Sequence, residues 1–491
     1  MNDLPSYDEV RVVSDLHMGG KPGFQILREG ARLANFIRWV AAQRPDGDVA
    51  LVLNGDVIDT LAEDVAGYVA VDEAVTTLAR IMADPAFADV FEALGEFVKT
   101  DRRTLVVVIG NHDVELAFPT VQRYLRTRLC GGDAAARARL EFSTAGAGYT
   151  CLVGGNRVHC IHGNEVDAWN FNRYEDLARV SRRLNAGRSI EPGEWSPNAG
   201  TRMVKDVMNK VKQRYAWIDL LKPEAEAAAR TLLAIDPSQA KAITELFGVV
   251  SQKAKGSIEV NQRLSADGIA PSPPGAPLAV TVQDVLGPLG KAVTPNADDL
   301  LRQAEREFAT PGGAALSPGD GQLGTGGFVW DSLTGWLRGL PEGEALRRAL
   351  VDWLKDDTTY IVDNQDDTFK EVTASIGPAI DFIVTGHTHL ERAIDMGGRY
   401  YFNTGTWIRL LQFTPEMLAD TATFQQVYAV LKDGSMAAID RGLSGTPLVK
   451  DQTSCVCIRV EGDQVVGTLN HVLDDGRGAP QPVQRFAKSL R

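Results

Sequence analysis

The sequence predicts an α/β protein organised around a parallel sheet, and three observations carry that expectation. Short apolar, β-branched runs at Val10–Ser14, Val49–Asn54 and Leu105–Ile109 have the length and composition of strands buried on both faces. Two stretches with helical apolar spacing, Phe24–Val40 and Val71–Val98, separate them. The alternation of strand and helix implies parallel pairing through right-handed crossovers.

The chain has 491 residues, which fits about three domains or one domain with a large insertion. Hydrophobic residues make up 44% and charged residues 23%, ordinary for a globular chain and too apolar for a disordered one. The net charge of −13 argues against a general nucleic-acid coat, because an acidic surface repels phosphate backbones. Carboxylates gathered to hold cations would give the same sign. The amino-terminal residues show no basic cluster followed by an apolar core, and no run reaches the ~18 apolar residues that span a bilayer. With only five cysteines, these features lead us to expect a reducing cytoplasm. Cys455 and Cys457 sit in an alternating run and read as plain strand residues.

From Glu141 to Ile161 the pattern turns to short alternating strands, with Gly154-Gly155-Asn156 as a hairpin turn. A segment of different character begins near Asn170. It carries helical patterns (Glu224–Leu233, Gln239–Val250, Ala297–Phe308, Ala345–Lys355) broken by Pro- and Gly-rich stretches (Pro271–Gly275, Pro311–Gly327). Strand character returns at Asp381–Val384, then a hairpin around Met396–Gly398. A terminal hairpin pairs Cys455–Val460 with Gln464–Leu469. This divides the chain into 1–169, a helical insertion at 170–377, and 378–491.

The chemistry concentrates just past the strand runs. There stand Asp15-Leu16-His17, Gly55-Asp56-Val57-Ile58-Asp59, Gly110-Asn111-His112-Asp113, His162-Gly163-Asn164 and Gly386-His387-Thr388-His389. Open α/β sheets place ligands beyond the carboxyl ends of their strands. Hard carboxylate oxygens mixed with borderline imidazole nitrogens suit Mn²⁺, Fe or Zn²⁺. Two such metals need one bridging carboxylate and about three further ligands each, and these motifs supply that number. Glycines beside the ligands (Gly55, Gly110, Gly163, Gly386) allow tight turns and close approach of backbone.

Taken in order, the five motifs resemble the calcineurin-like metallophosphoesterase superfamily, over roughly residues 8–169 and 378–475. The resemblance implies a four-layer αββα sandwich, here carrying a large, mainly helical insertion. It also implies one metal held by Asp15, His17, Asp56 and His389, and a second held by Asp56, Asn111, His162 and His387. His112 would face the scissile phosphate, with Asp113 orienting and charging it. A metal-bridging water, acidified to hydroxide, would attack phosphorus in line. Asp59 reads as a supporting or turn residue, His159 as packed or capping, and His471 as a surface residue.

Ser14–His17, the run His162–Asp167, and Gly386–His389 followed by Tyr401–Gly405 resemble UDP-2,3-diacylglucosamine pyrophosphatases, Mn²⁺ enzymes acting on a lipid-bearing sugar nucleotide. Two features depart from that pattern: Asn164 stands where an Asp follows His-Gly, and His387 lies 225 positions after His162. Between Arg173 and Arg214 ten Lys/Arg face five acids, so this part of the insertion could meet an anionic substrate, with Arg182 and Arg183 as contacts. The expected activity is hydrolysis of a small or lipid-linked phosphoester. The alternative is a nuclease guided by the basic segment. The Trp-containing stretch Phe328–Leu340 allows a peripheral membrane contact, though core packing is favoured there.

Overall fold

A computed structural model describes residues 4–190, 195–222, 343–354, 358–443, 447–450, 452–473 and 478–491, with isolated positions at 231, 235, 260, 262 and 263. The first three expected strands form as β2 (Glu9–Val13), β3 (Val49–Asn54) and β4 (Arg103–Val108). They pair in parallel, with Val10 opposite Ala50 and Leu51 opposite Leu105. Each residue of β3 is buried, as a strand covered on both faces requires.

These strands belong to a seven-stranded sheet. It continues through β5 (Leu140–Ser143) on one side and through antiparallel β13 (Ser454–Glu461), β14 (Gln464–Val472) and β15 (Pro480–Ser489) on the other. A second sheet has six strands. Its order is β1 (Ser6–Tyr7), β6 (Tyr149–Val153), β7 (Asn156–Cys160), β8 (Phe382–Thr385), β10 (Tyr400–Thr404) and β9 (Glu391–Asp395).

Alternation along the strands builds four layers. Val10, Val12, Ala50, Val52, Val106 and Val108 meet Cys151, Val158, Phe382 and Phe402 between the two sheets. The opposite face of β3 and β4 (Leu51, Leu53, Leu105, Val107) packs under helices α1 (Gly30–Ala42), α2 (Ala74–Ala83), α3 (Ala88–Lys99) and α4 (Pro119–Cys130). Outside the other sheet, Phe369 and Val372 of helix Asp367–Ser375 cover Ile383 and Tyr401. The αββα expectation is met.

Local details differ from the sequence reading for identifiable reasons. The helical pattern Val71–Val98 splits into α2 and α3, because Asp84 precedes Pro85 and takes an extended backbone. The sequence pattern does not predict β15. Pro480 and Pro482 argue against a central strand, but an edge strand tolerates them. Helix Tyr174–Asn185 buries Leu177 and Val180 among the α1–α4 layer, so chain beyond position 170 contributes to the sandwich.

A further core joins residues 199–221 to helix Glu344–Leu354 and to the segment from Ile408 to Leu448, around Trp217, Phe424 and Leu431. Of the expected helices in the insertion, Ala345–Lys355 matches Glu344–Leu354. Glu224–Leu233, Gln239–Val250, Ala297–Phe308, Pro271–Gly275, Pro311–Gly327 and Phe328–Leu340 lie outside the described residues, Thr231 excepted. Among the described residues no helix is long and apolar enough to cross a membrane.

Candidate metal centre

The loops leaving β2 and β3 zip together before they diverge. Leu16 and His17 donate their N–H groups to the Asp56 carbonyl at 2.9 Å, and Asp15 donates to Gly55 at 3.1 Å. This turn forces non-glycine residues into the left-handed region, with φ of 53° at Asp15, 47° at His17 and 52° at Asp56. His387 (72°) and His389 (61°) do the same after β8. Left-handed backbone costs a side-chain-bearing residue free energy, and it concentrates here on the metal-ligating candidates.

The glycines of the motifs interlock with ligands from other motifs. A Cβ on Gly110 would stand 2.1 Å from Asp56 Oδ1, and one on Gly55 would stand 2.3 Å from His162 Nδ1. Only a bare Cα lets these loops close on one point.

Two groups of potential ligand atoms result. Asp15, His17, Asp56 and His389 form one, and Asp56, His162 and His387 form the other, so Asp56 belongs to both. His162 Nε2 lies 3.2 Å from Asp56 Oδ2, His389 Nε2 lies 3.2 Å from Asp15 Oδ1, and His17 and His389 bring their Nε2 atoms to 3.0 Å. Asn111 is buried and connects through Asn170, which donates to Asp167; Asp167 in turn meets His387 Nε2 at 2.8 Å.

Electrostatics keep the carboxylates ionised. Burial opposes this at Asp15, but the His389 imidazole outweighs it and holds the carboxyl at about 2. Burial likewise opposes ionisation of Asp56, and His162 and His112 carry it well below the usual range.

The donor set fits divalent cations on an observation independent of motif. His162 Nδ1 is 2.7 Å from the Asn54 carbonyl, which accepts its proton and leaves Nε2 as the lone pair facing Asp56. Among the described residues that Nε2 and Asn111 Oδ1 are buried without a hydrogen-bond partner, as are the Nδ1 atoms of His17 and His389. Lone pairs and ionised oxygens converging without protons between them are what a cation satisfies.

One expected contact is corrected. Asp113 does not orient His112: its carboxylate accepts the backbone N–H groups of Val57 (2.8 Å) and Gly110 (2.6 Å), tying the β3 loop to the β4 loop. Burial and the neighbouring Asp56 charge push it up to about 7. Asp59 takes the orienting position instead, 3.1 Å from His112 Nδ1. It also accepts the Ala62 N–H, the turn role read from sequence.

Arg182 and Arg183 are not brought to the centre. Arg182 is on an exposed face of its helix, and Arg183 donates to the Ser189 carbonyl at 2.9 Å. The cations that come near are lysines further along: Lys205 donates to the Glu63 carbonyl at 3.0 Å, and buried Lys222 acts electrostatically on His389. Sequence reasoning also passed over Asp167, though it lies in the quoted run after His162.

Of the remaining histidines, His159 bonds Thr150 Oγ1 across the hairpin at 2.8 Å. His471 is not a free surface residue, because it pairs with Glu391 at 2.9 Å. Cys455 and Cys457 are buried strand residues with free thiols, as read.

Residues 9–209 match the sequence profile of the calcineurin-like phosphoesterases. The likeness to the calcineurin-like phosphoesterases thus covers residues 9–209, under half of the chain. The two ligand groups draw Asp15, His17, Asp56 and His162 from within that segment and His387 and His389 from beyond it. Among solved structures, a Vps29 single mutant from Entamoeba histolytica is similar at 16% identity, with a TM-score of 0.12. That likeness covers 22% of this chain and 41% of the other, too little to transfer a fold or a role. No curated protein matches.

Proposed function

We propose that this protein hydrolyses a phosphoester at a two-metal centre. The observation that supports this best is the pair of ligand groups sharing Asp56. In this reading Asp15, His17, Asp56 and His389 hold one cation, and Asp56, Asn111, His162 and His387 hold the other. Mn²⁺ suits the mixture of carboxylate oxygen and imidazole nitrogen, with Fe and Zn²⁺ as competitors. Two such cations would supply an acidified water and neutralise charge on the phosphoryl oxygens.

The protein's own groups do the rest. The Asp56 carboxylate accepts the His112 backbone N–H at 2.8 Å, which fixes that loop to the centre. Asp59 holds His112 Nδ1, leaving Nε2 to protonate the departing oxygen. His112 is partly accessible, so a substrate can reach it.

Residues beyond about 170 are, in this reading, a cap that meets the substrate, with its described lysines beside the centre. The motif resemblance to UDP-2,3-diacylglucosamine pyrophosphatases offers a lipid-linked pyrophosphate as one candidate substrate. The test is turnover of bis(nitrophenyl) phosphate by the Mn²⁺-loaded chain, together with its metal content. About two metals per chain and turnover that Asp56→Asn removes support the reading; turnover equal to wild type in that variant overturns it.

A further inference from the structure

A cavity of about 330 Å³ opens beside Asp59, at the low end of the range for small-molecule sites. Its walls come from the loop after β2 (Gly19, Gly20, Phe24), from the turn after Asp59 (Glu63) and from residues 209–219 of the expected insertion. Asp59 is common to the cavity and the centre, because its carboxylate also holds His112. In the phosphoesterase reading His112 serves the departing oxygen, and Asp59, which holds it, is the residue that joins the centre to this cavity.

The charges in the wall are already matched. Lys21 pairs with Asp64 at 2.8 Å, Lys212 pairs with Asp219, and Glu63 takes Arg80 together with the Gly20 N–H. An incoming phosphate would face Asp59, Glu63, Asp64 and Asp219, and among the described lining residues it would gain a cation by breaking an existing pair. What the wall offers freely is different: the ring of Phe24, 40% exposed, and the carboxamide of Gln213, beside the Asn209 carboxamide, whose nitrogen donates to the Leu61 carbonyl at 3.0 Å. Apolar surface with a few neutral hydrogen-bonding groups suits an uncharged polyol or nucleoside.

We propose that this cavity receives the leaving group, and that the leaving group is an uncharged, hydroxyl-bearing alcohol of sugar or nucleoside size. This rests on the phosphoesterase reading and narrows it, setting a phosphodiester or monoester of such an alcohol above a pyrophosphate. A water oxygen forms the new P–O bond and gives its proton to solvent. The P–O bond to the alcohol breaks, and the alcohol oxygen takes a proton from His112, which solvent restores.

The experiment uses the full Mn²⁺-loaded chain and three probes. Bis(nitrophenyl) phosphate reports the chemistry alone, glycerophosphoinositol places uncharged polyols on both sides of phosphorus, and UDP-glucose carries a second phosphate on its leaving group. The kcat/KM for glycerophosphoinositol should exceed that for UDP-glucose by roughly tenfold or more. Gln213→Trp, at an exposed position, should shrink that ratio through the KM for glycerophosphoinositol. Asp64→Asn, which releases Lys21, should shrink it by improving UDP-glucose. A preference for UDP-glucose in wild type, or a ratio that neither variant moves, overturns the proposal. Absence of turnover on bis(nitrophenyl) phosphate overturns the phosphoesterase reading beneath it.

Discussion

The two ends of strand β2 bury charged groups in opposite ways. At the amino end Glu9 and Arg11 pair at 2.6 Å, Arg44 reaches Glu9 at 2.9 Å, and Arg11 stacks over the Trp39 ring. Arg103, on the neighbouring strand, donates to the carbonyls of Ala41 and Gly47 at 2.9 Å. Apart from Arg11 Nη1, Arg11 and Arg103 have acceptors there, and β2 keeps ordinary extended geometry. A few residues further on, Asp15 and His17 take left-handed backbone, and imidazole nitrogens are left without hydrogen-bond partners among the described residues. Satisfied charge holds the sheet together. Unsatisfied charge on strained backbone marks where a ligand is expected, because a fold keeps that arrangement only if something offsets its cost.

The largest test of this contrast is Asp56→Asn. Removing the charge shared by both ligand groups should lower bound metal and cut turnover by roughly 10²–10⁴-fold, read by elemental analysis and steady-state assay. A variant that kept both would make the two ends of β2 alike. The matching change at the amino end is Arg103→Ala. It strands the buried carbonyls and should cost about 2–4 kcal/mol in urea unfolding while metal content stays near wild type. Loss of metal there would erase the division between the ends.

Asp167→Asn probes how far the metal end extends. Carboxylates that orient metal-ligating histidines typically contribute 10–100-fold in affinity, so a Mn²⁺ titration should show weakening of about that size at the second position only. The smallest effect concerns His159, which is half-buried and hydrogen-bonded to Thr150. Burial holds its imidazole down at about 4, against 6.5 in the unfolded chain. Above pH 6.5 neither state is protonated and the full stability is present. As pH falls from 6.5 towards 4, only the unfolded chain gains the proton, so stability drops by at most about 1.4 kcal/mol per pH unit. In His159→Phe that part of the pH slope should vanish, as read by denaturant midpoints across the window.

Much of the centre was legible in the sequence because its determinants are local. A β-branched run followed by Asp-x-His, Gly-Asp or Gly-Asn-His places the polar residues at a strand end without knowledge of any partner. Glycine at 55 and 110 is needed because His162 and Asp56 fill the space where a side chain would go. The partner of His112 was not legible. Asp113 is adjacent in sequence, yet its backbone turn aims the carboxylate at Val57 and Gly110, and Asp59 arrives from another strand's loop. Arg182 and Arg183 stand out in the sequence by charge alone, and charge does not tell which face of a helix meets the site.

The sequence by itself therefore determined the parallel sheet, the strand-end motifs and the chemistry they can hold, since periodicity and turn residues act over a few positions. Tertiary structure alone decided that residues 199–221 pack with 408–448 as a separate core, and that residues 209–219 close a cavity against the loop after β2. Those contacts join segments far apart in the chain. They depend on how whole layers pack, and no local pattern encodes that.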